Sequence, residues 1–302
     1  MKVVIAGGSG FIGHALVEQF LSRGADVVVL TRDPSRVRLG RGVRWAPGSA
    51  DGAWQSELAD ATHVINLAGE SIGAARWSDE RKVALLESRL APTRALVAAI
   101  RAVASRPRFI SASAIGIYGD RGEEELSEES ATGSGFLADL TKRWEAAALE
   151  ASDVATVTVL RIGIVLAPEG GALEKMLLPF RIGAGGRFGS GRQWMSWIDR
   201  DDLVQLIQWV AEQKPVGGIY NATAPNPVRN RDFARALGAA LHRPALIPAP
   251  ALALRVALGE MAGPLLLEGQ RVIPVRAGRE GFTFQYPGLE SSLSHLLVTY
   301  SK

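Results

Sequence analysis

The chain has 302 residues, 34 Lys+Arg against 31 Asp+Glu, and 47% hydrophobic residues. Hydrophobic cores stop growing near ~250–300 residues, so this length fits one large or two modest domains. Cysteine is absent, which excludes a disulfide scaffold, a thiolate metal site and a cysteine nucleophile. The net charge of +3 is spread along the chain, with no basic tract of the kind that holds nucleic acid or anionic lipid.

The N-terminus runs straight from Met1-Lys2 into Val3-Val4-Ile5-Ala6 and lacks the pattern of a secretory leader. No stretch of about 18 apolar residues suggests a membrane span. The expectation is a cytoplasmic protein with a small-molecule substrate and neither a nucleic-acid nor a membrane partner. A homodimer is compatible with it.

In chain order, Lys2–Ala6 predicts a strand and Phe11–Arg23 a helix, with Ile12, Leu16 and Phe20 on one face and Gly24 as its stop. Strands follow at Asp26–Thr31, Val43–Ala46 and His63–Leu67. Asp79–Arg101 reads as a helix with a kink or break at Pro92. A strand begins at Arg108–Ser111, Phe136–Ala151 is helical, and Val154–Ile162 is a strand. Beyond Leu166 five glycines between Gly183 and Gly191 mark a loop region. Asp201–Ala211 and Asp232–Leu241 read as helices, and Gly217–Asn221 as a strand. Strands alternating with helices predict an α/β fold, a doubly wound parallel sheet of Rossmann type with a smaller C-terminal substrate-side region. The expected division is a nucleotide-binding core over residues 1–170, completed by parts of 195–225, with 171–302 mainly a cap.

Gly7-Gly8-Ser9-Gly10-Phe11-Ile12-Gly13 lies between a strand and a helix. Gly7 allows a tight turn, Gly10 lets a pyrophosphate approach the backbone, and Gly13 lets the helix pack closely. The free N–H groups of the helix start then face phosphate. The second strand ends Leu30-Thr31-Arg32. An NAD site usually places a carboxylate here to bind the ribose 2′-hydroxyl, whereas a guanidinium suits a 2′-phosphate. The expected cofactor is therefore NADP(H), with Asp33 facing solvent or capping the turn.

With these motifs the chain resembles the extended short-chain dehydrogenase/reductase superfamily. It is most similar to an atypical "epimerase family protein" subgroup with a C-terminal domain of unknown function. The resemblance spans essentially the whole chain. It rests on Gly7–Gly13, Thr31-Arg32, Asn66–Glu70, Arg76-Trp77, Ser88-Arg89, Ser111–Gly119, Trp144-Glu145, Leu160–Leu166, Leu177–Phe180, Gly189–Ile198, Tyr220–Val228 and Leu265–Pro274. It implies that Leu67, Ala68 and Gly69 run along the cofactor, that Arg89 reaches it from the next helix, and that Ile164 lines the nicotinamide side.

The superfamily's usual chemistry needs a Ser/Thr, a Tyr and a Lys four residues after the Tyr. None of Tyr118, Tyr220, Tyr286 and Tyr300 has that lysine. Phe136 and Leu140 occupy the expected Tyr and Lys positions; a one-residue shift gives Leu137 and Thr141. Ala114 stands in the simplest register for the Ser, with Ser113 beside it. Candidate acid–base groups are Glu70, Ser113, Tyr118 and Asp120. Three readings follow: an NADP(H)-dependent oxidoreductase acting on a carbonyl or alcohol, a non-catalytic NADP(H)-binding sensor or regulator, and a nucleoside-diphosphate-sugar epimerase. Trp77, Trp194 and Trp197 are candidates to stack on a ligand, with core packing as the equal alternative. Arg181, Arg187 and Arg192 read more readily as solvated loop residues than as an anion site. The four histidines have no metal-ligand spacing, and no metal is expected.

Overall fold

The structure is a computed structural model that describes residues 1–47, 52–213 and 217–300. Strands β1 (Lys2–Ala6), β2 (Asp26–Thr31), β3 (Arg41–Arg44), β4 (His63–Asn66) and β5 (Arg108–Ala114) carry the first half of the chain. The short β6 (Glu125–Leu126) precedes β7 (Val157–Ile162), β8 (Ile164–Ala167), β9 (Trp194–Met195), β10 (Trp197–Asp199) and β11 (Gly218–Ala222). Seven of these form one sheet in the order β11-β7-β5-β4-β1-β2-β3, and every pairing in it is parallel. All four residues of β4 are buried, and four of five in β1. Burial on both faces explains why these strands read as continuous apolar runs rather than as alternating ones.

Helices cover both faces. Helix α1 (Phe11–Ser22) packs Leu16, Val17 and Phe20 on one side of the sheet. Helices α2 (Asp79–Ala102) and α3 (Phe136–Leu149) take the other, where Leu96, Ile100 and Ala148 meet Val4, Val64 and Phe109. Two strands lie to one side of β1 and four to the other, so the chain reverses direction between β1 and β4. In such sheets the ligand crevice opens beyond the carboxyl ends of the strands flanking that switch, here Ala6 and Asn66.

A further core joins α4 (Gly171–Arg181), α6 (Asn230–Ala240) and α9 (Leu289–Tyr300) through Leu173, Leu177, Phe233, Leu237 and Leu293. Between α4 and α6 lies α5 (Arg200–Glu212), on the α1 face of the sheet. Helices α7 (Ala251–Leu258) and α8 (Val275–Arg279) and strands β12 (Val228–Arg229) and β13 (Arg271–Val272) complete the C-terminal part. No helix among the described residues is long and apolar enough to cross a membrane.

Several boundaries differ from expectation. The third strand is Arg41–Arg44, two residues earlier than read, and β7 starts at Val157 because Val154 belongs to a turn. Of the kink or break expected at Pro92, the break is absent: α2 runs through it. Pro92 forfeits one backbone hydrogen bond, but its buried neighbours Leu90, Leu96 and Ile100 hold the helix on the sheet. Helix α4 was hidden behind Gly170-Gly171 and Pro179, residues that read as breakers.

The histidines are not all isolated. Ligand-type atoms of Asp199, Asp201 and His295 come within 4.8 Å of one another where α9 docks on α5. Protein groups serve them there: Asp199 accepts from Ser292 Oγ (2.7 Å) and from Asp201 N (2.9 Å), and His295 Nε2 lies 3.1 Å from Asp201. Burial raises the Asp199 pKa to about 6, against the pull of those hydrogen bonds. A raised carboxyl binds its proton more tightly in the folded state. Its stabilising contribution is thus present at about pH 4 and below and is lost as pH rises to about 6. Asp199→Asn keeps an acceptor for the α5 N-terminus but not the charge. Its melting temperature should gain on the wild type between pH 4 and 7, by the equivalent of up to about 3 kcal/mol. Melting curves that stay parallel across that range would contradict this account.

Candidate functional site

The glycine loop leaves β1 and folds back on β4. Gly7 has φ +81°, a left-handed conformation, and a Cβ there would lie 2.8 Å from the Leu67 carbonyl carbon. A Cβ on Gly13 would overlap the Gly7 carbonyl oxygen. Glycine at both places lets α1 start directly against the loop. Gly10 N donates to Gly7 O (3.0 Å), and the first bond into the helix is His14 N to Gly10 O (2.9 Å). Gly10 carries no side chain to cap the helix. The N–H groups of Phe11, Ile12 and Gly13 therefore have no intrahelical acceptor, and Ser9 lies exposed beside them. That arrangement suits an anion.

Next to it, a cleft of about 570 Å³ is lined by Ser9, Thr31, Arg32, Ser35, Arg36 and Arg38, among others. Asp33 does not contribute a free carboxylate. It accepts from Ser35 N (3.1 Å) and Ser35 Oγ (2.6 Å), and these bonds hold its pKa below the usual carboxylate range. The three arginines make no ion pair among the described residues, so the cleft carries net positive charge. Spacing alone found Arg32; Arg36 and Arg38 join it because a short turn at Pro34–Arg36 wraps back over the end of β2.

The far wall of the crevice is the end of β4 and the loop after it. Leu67 N donates to Ala6 O (2.9 Å), and Ala68 N to Asn66 Oδ1 (3.1 Å). The Arg89 side chain lies under Gly69 and donates to Glu70 O (3.0 Å) and Leu85 O (3.0 Å). Burial lowers the Arg89 pKa to about 10, and the Trp144 ring lies 5.3 Å from its guanidinium. Ile164 opens β8, half-buried, with its N–H on Ser196 O (2.9 Å).

The candidate acid–base groups do not converge on this crevice. Tyr118 is fully buried. Its hydroxyl lies 2.7 Å from Asn221 Oδ1 and 2.9 Å from Ser127 O, and it accepts from Arg161 Nη1 at 2.9 Å. Burial raises its pKa despite the neighbouring Arg161 charge. Ser113 Oγ donates to Glu145 Oε1 at 2.5 Å. Glu145 is also bound through both oxygens by Arg161, at 2.9 Å each. Burial opposes the Arg161 charge, yet Glu145 outweighs it and raises the Arg161 pKa overall. Glu70 is exposed and ion-paired with Arg81, and exposed Asp120 accepts from Gly122 N. Glu145, Arg161 and Asn221, which organise this corner, lie in segments that carry the resemblance, but the sequence assigns none of them a partner or a role.

Where the family's tyrosine would stand, Phe136 contacts Trp77 edge-on at 5.0 Å. Leu137, Leu140, Ile162, Leu258 and Leu265 belong to the same apolar cluster. Trp197 is core, and Trp194 lies between the Arg229 and Arg271 guanidinium groups at 4.1 and 5.0 Å. Arg181, Arg187 and Arg192 are all exposed.

Residues 3–223 match the NAD dependent epimerase/dehydratase family, and residues 249–296 match a domain of unknown function. An epimerase family protein of Mycobacterium bovis is 40% identical over 97% of this chain and 96% of its own length. A chloroplastic homologue from Arabidopsis thaliana, named after the epimerase family protein SDR39U1, is 38% identical over 98% of this chain and 87% of its own. The crystal structure of the human epimerase family protein SDR39U1 with NADPH superposes with a TM-score of 0.87. It is 35% identical and covers 98% of this chain and 99% of the human one.

The buried pair makes a direct prediction. Arg161→Leu leaves Glu145 buried without its partner and should cost about 3–5 kcal/mol in urea unfolding. Replacing both by leucine should recover a large part of that loss, because no lone charge is left. A single-variant loss under about 1 kcal/mol would show that the pair is not buried in solution.

Proposed function

Because the chain belongs to the NAD dependent epimerase/dehydratase family, we propose that it binds NADP(H) in the glycine-loop crevice and interconverts a carbonyl and an alcohol on a small molecule. The observation that carries this reading is the uncapped start of α1, suited to an anion, continuing into the arginine-lined cleft at the end of β2. In this proposal Gly7, Ser9, Gly10, Phe11, Ile12 and Gly13 hold the pyrophosphate. Thr31 and Arg32 take the adenine ribose 2′-phosphate, with Ser35, Arg36 and Arg38 around it. Leu67, Ala68 and Gly69 border the adenosine and pyrophosphate, Arg89 supports them from below, and Ile164 lies on the nicotinamide side. The human relative's crystal structure with NADPH supports the choice of cofactor.

The bound cofactor supplies or takes up a hydride at the substrate carbon. The chain's own part is to hold the substrate against it, which the apolar cluster of Trp77, Phe136 and Leu265 suits. In the reducing direction the substrate oxygen takes its proton from solvent. Tyr118 and Ser113 are spent within the buried network, so the usual tyrosine step is not part of the proposal. That same observation favours a second reading, a regulator that binds NADP(H) without turnover.

Two measurements test the proposal. Arg32→Ala should weaken NADPH binding by about ten- to a hundredfold, the scale of a lost charge-assisted hydrogen bond, and leave NADH unchanged. Equal NADPH and NADH affinities in the wild type would overturn the cofactor assignment. NADPH consumption with a member of a panel of aldehydes and ketones supports the enzyme. Tight NADPH binding with silence across the panel supports the regulator.

A further inference from the structure

A cavity of about 230 Å³ lies at the other end of the sheet from the glycine loop. It sits at the amino ends of β5, β7 and β11, beside the C-terminal end of α5. Arg108 opens β5, Thr158 stands near the start of β7, and Tyr220 lies in β11. Trp209 and Val210 come from the last turn of α5, and Glu280 follows α8. No lining residue is shared with the crevice at α1 and β2.

Its apolar wall is held in place. The Trp209 ring meets Tyr220 at 6.3 Å and Phe282 at 5.6 Å, both edge-on. Two polar groups, by contrast, are not spent on the fold. Thr158 is 5% exposed, and its hydroxyl has no hydrogen-bond partner among the described residues. It shares a face of β7 with Leu160, which packs in the core under α5, so it points to the cavity side. A buried hydroxyl without a partner is costly. Arg108 donates through Nη1 alone, to Ala211 O (2.7 Å) and Gln213 O (2.5 Å). Its Nε and Nη2 have no partner among the described residues. Those two nitrogens form the edge of a guanidinium that grips a carboxylate through parallel bonds. Glu280, the other charged lining residue, is already engaged: Oε1 accepts from Arg276 Nε (2.7 Å) and Oε2 from the Tyr220 hydroxyl (2.5 Å). Arg108 is thus the lining charge that faces no opposite charge among the described residues.

We propose that this cavity is a second binding site, for a small monocarboxylate with a ring-sized apolar body. The carboxylate takes the free edge of Arg108 and the Thr158 hydroxyl, and the body lies against Trp209 and Val210. The volume has room for one ring with a small substituent. The site lies at the opposite ends of the strands from the crevice, so it stands or falls independently of the cofactor reading.

Calorimetric titration with benzoate, benzyl alcohol, benzylamine and acetate, with and without saturating NADPH, tests it. Benzoate should bind saturably with a Kd of about 1 mM or tighter, the scale for so small a ligand. Benzyl alcohol should bind more weakly, and benzylamine and acetate should give no binding heat. Thr158→Val keeps the side-chain shape and should weaken benzoate about tenfold, the scale of one hydrogen bond to a charged group. Its melting curve should match or exceed the wild type's. Arg108→Met should weaken benzoate about tenfold or more. Arg108 also holds the end of α5, so benzyl alcohol serves as the control: unchanged binding in that variant shows the cavity intact. Val210→Trp should fill the cavity and abolish binding of both ligands. Absence of saturable benzoate binding, equal binding of benzylamine, or benzoate affinity unchanged in both Thr158→Val and Arg108→Met overturns the proposal. Displacement of benzoate by NADPH would place it in the crevice and overturn the proposal equally.

Discussion

Arg161 and Glu145 meet between β7 and α3 through two hydrogen bonds of 2.9 Å, and both side chains are at most 7% exposed. Buried charges persist only when geometry and further hydrogen bonds satisfy them. Here Ser113 completes the carboxylate and Tyr118 the guanidinium. Asn221 of β11 joins through Tyr118, so α3, β5, β7 and β11 are tied at one corner. The pair ties α3, the helix that opens with Phe136, to β7. It also commits the two hydroxyls that local motifs would assign to chemistry.

The crevice depends on a different constraint, the absence of side chains. With any Cβ at Gly7 or Gly13, β1, α1 and the end of β4 could not approach as closely as they do. The helix start has no side-chain cap, and the turn after β2 brings three arginines to its edge beside one carboxylate, Asp33, which is bonded to Ser35. The two halves of the site thus have opposite character. The half at α1 and β2 is polar and cationic, whereas the half around Phe136 is apolar and lacks a proton donor of the family's usual kind.

What could be read beforehand follows from the range of each interaction. The glycine loop and the parallel strands were legible because backbone clearance and continuous apolar burial are written within a few residues. Arg32 was legible by position, and so was Asp33 as a turn cap, the role that its bonds to Ser35 give it. Tyr118 illustrates the opposite case. Its motif is local, yet its partner Asn221 is 103 positions away. Glu145 was visible beside Trp144 without a task, because the task is set by Arg161 on another element. Helix α4 escaped notice because glycines open it and Pro179 sits in it, while packing on α6 and α9 holds it together. Asp199, Asp201 and His295 met only through the docking of α9 on α5.

The central claim is that the dinucleotide occupies the cationic half while the buried network stays closed. A crystal structure with NADPH bound tests it most directly. The account predicts the 2′-phosphate among Arg32, Ser35, Arg36 and Arg38, the nicotinamide beside Ile164, and Tyr118 and Ser113 still bonded to Asn221 and Glu145. A Tyr118 or Ser113 hydroxyl turned into the crevice, within hydrogen-bond reach of the space beside nicotinamide C4, would contradict it.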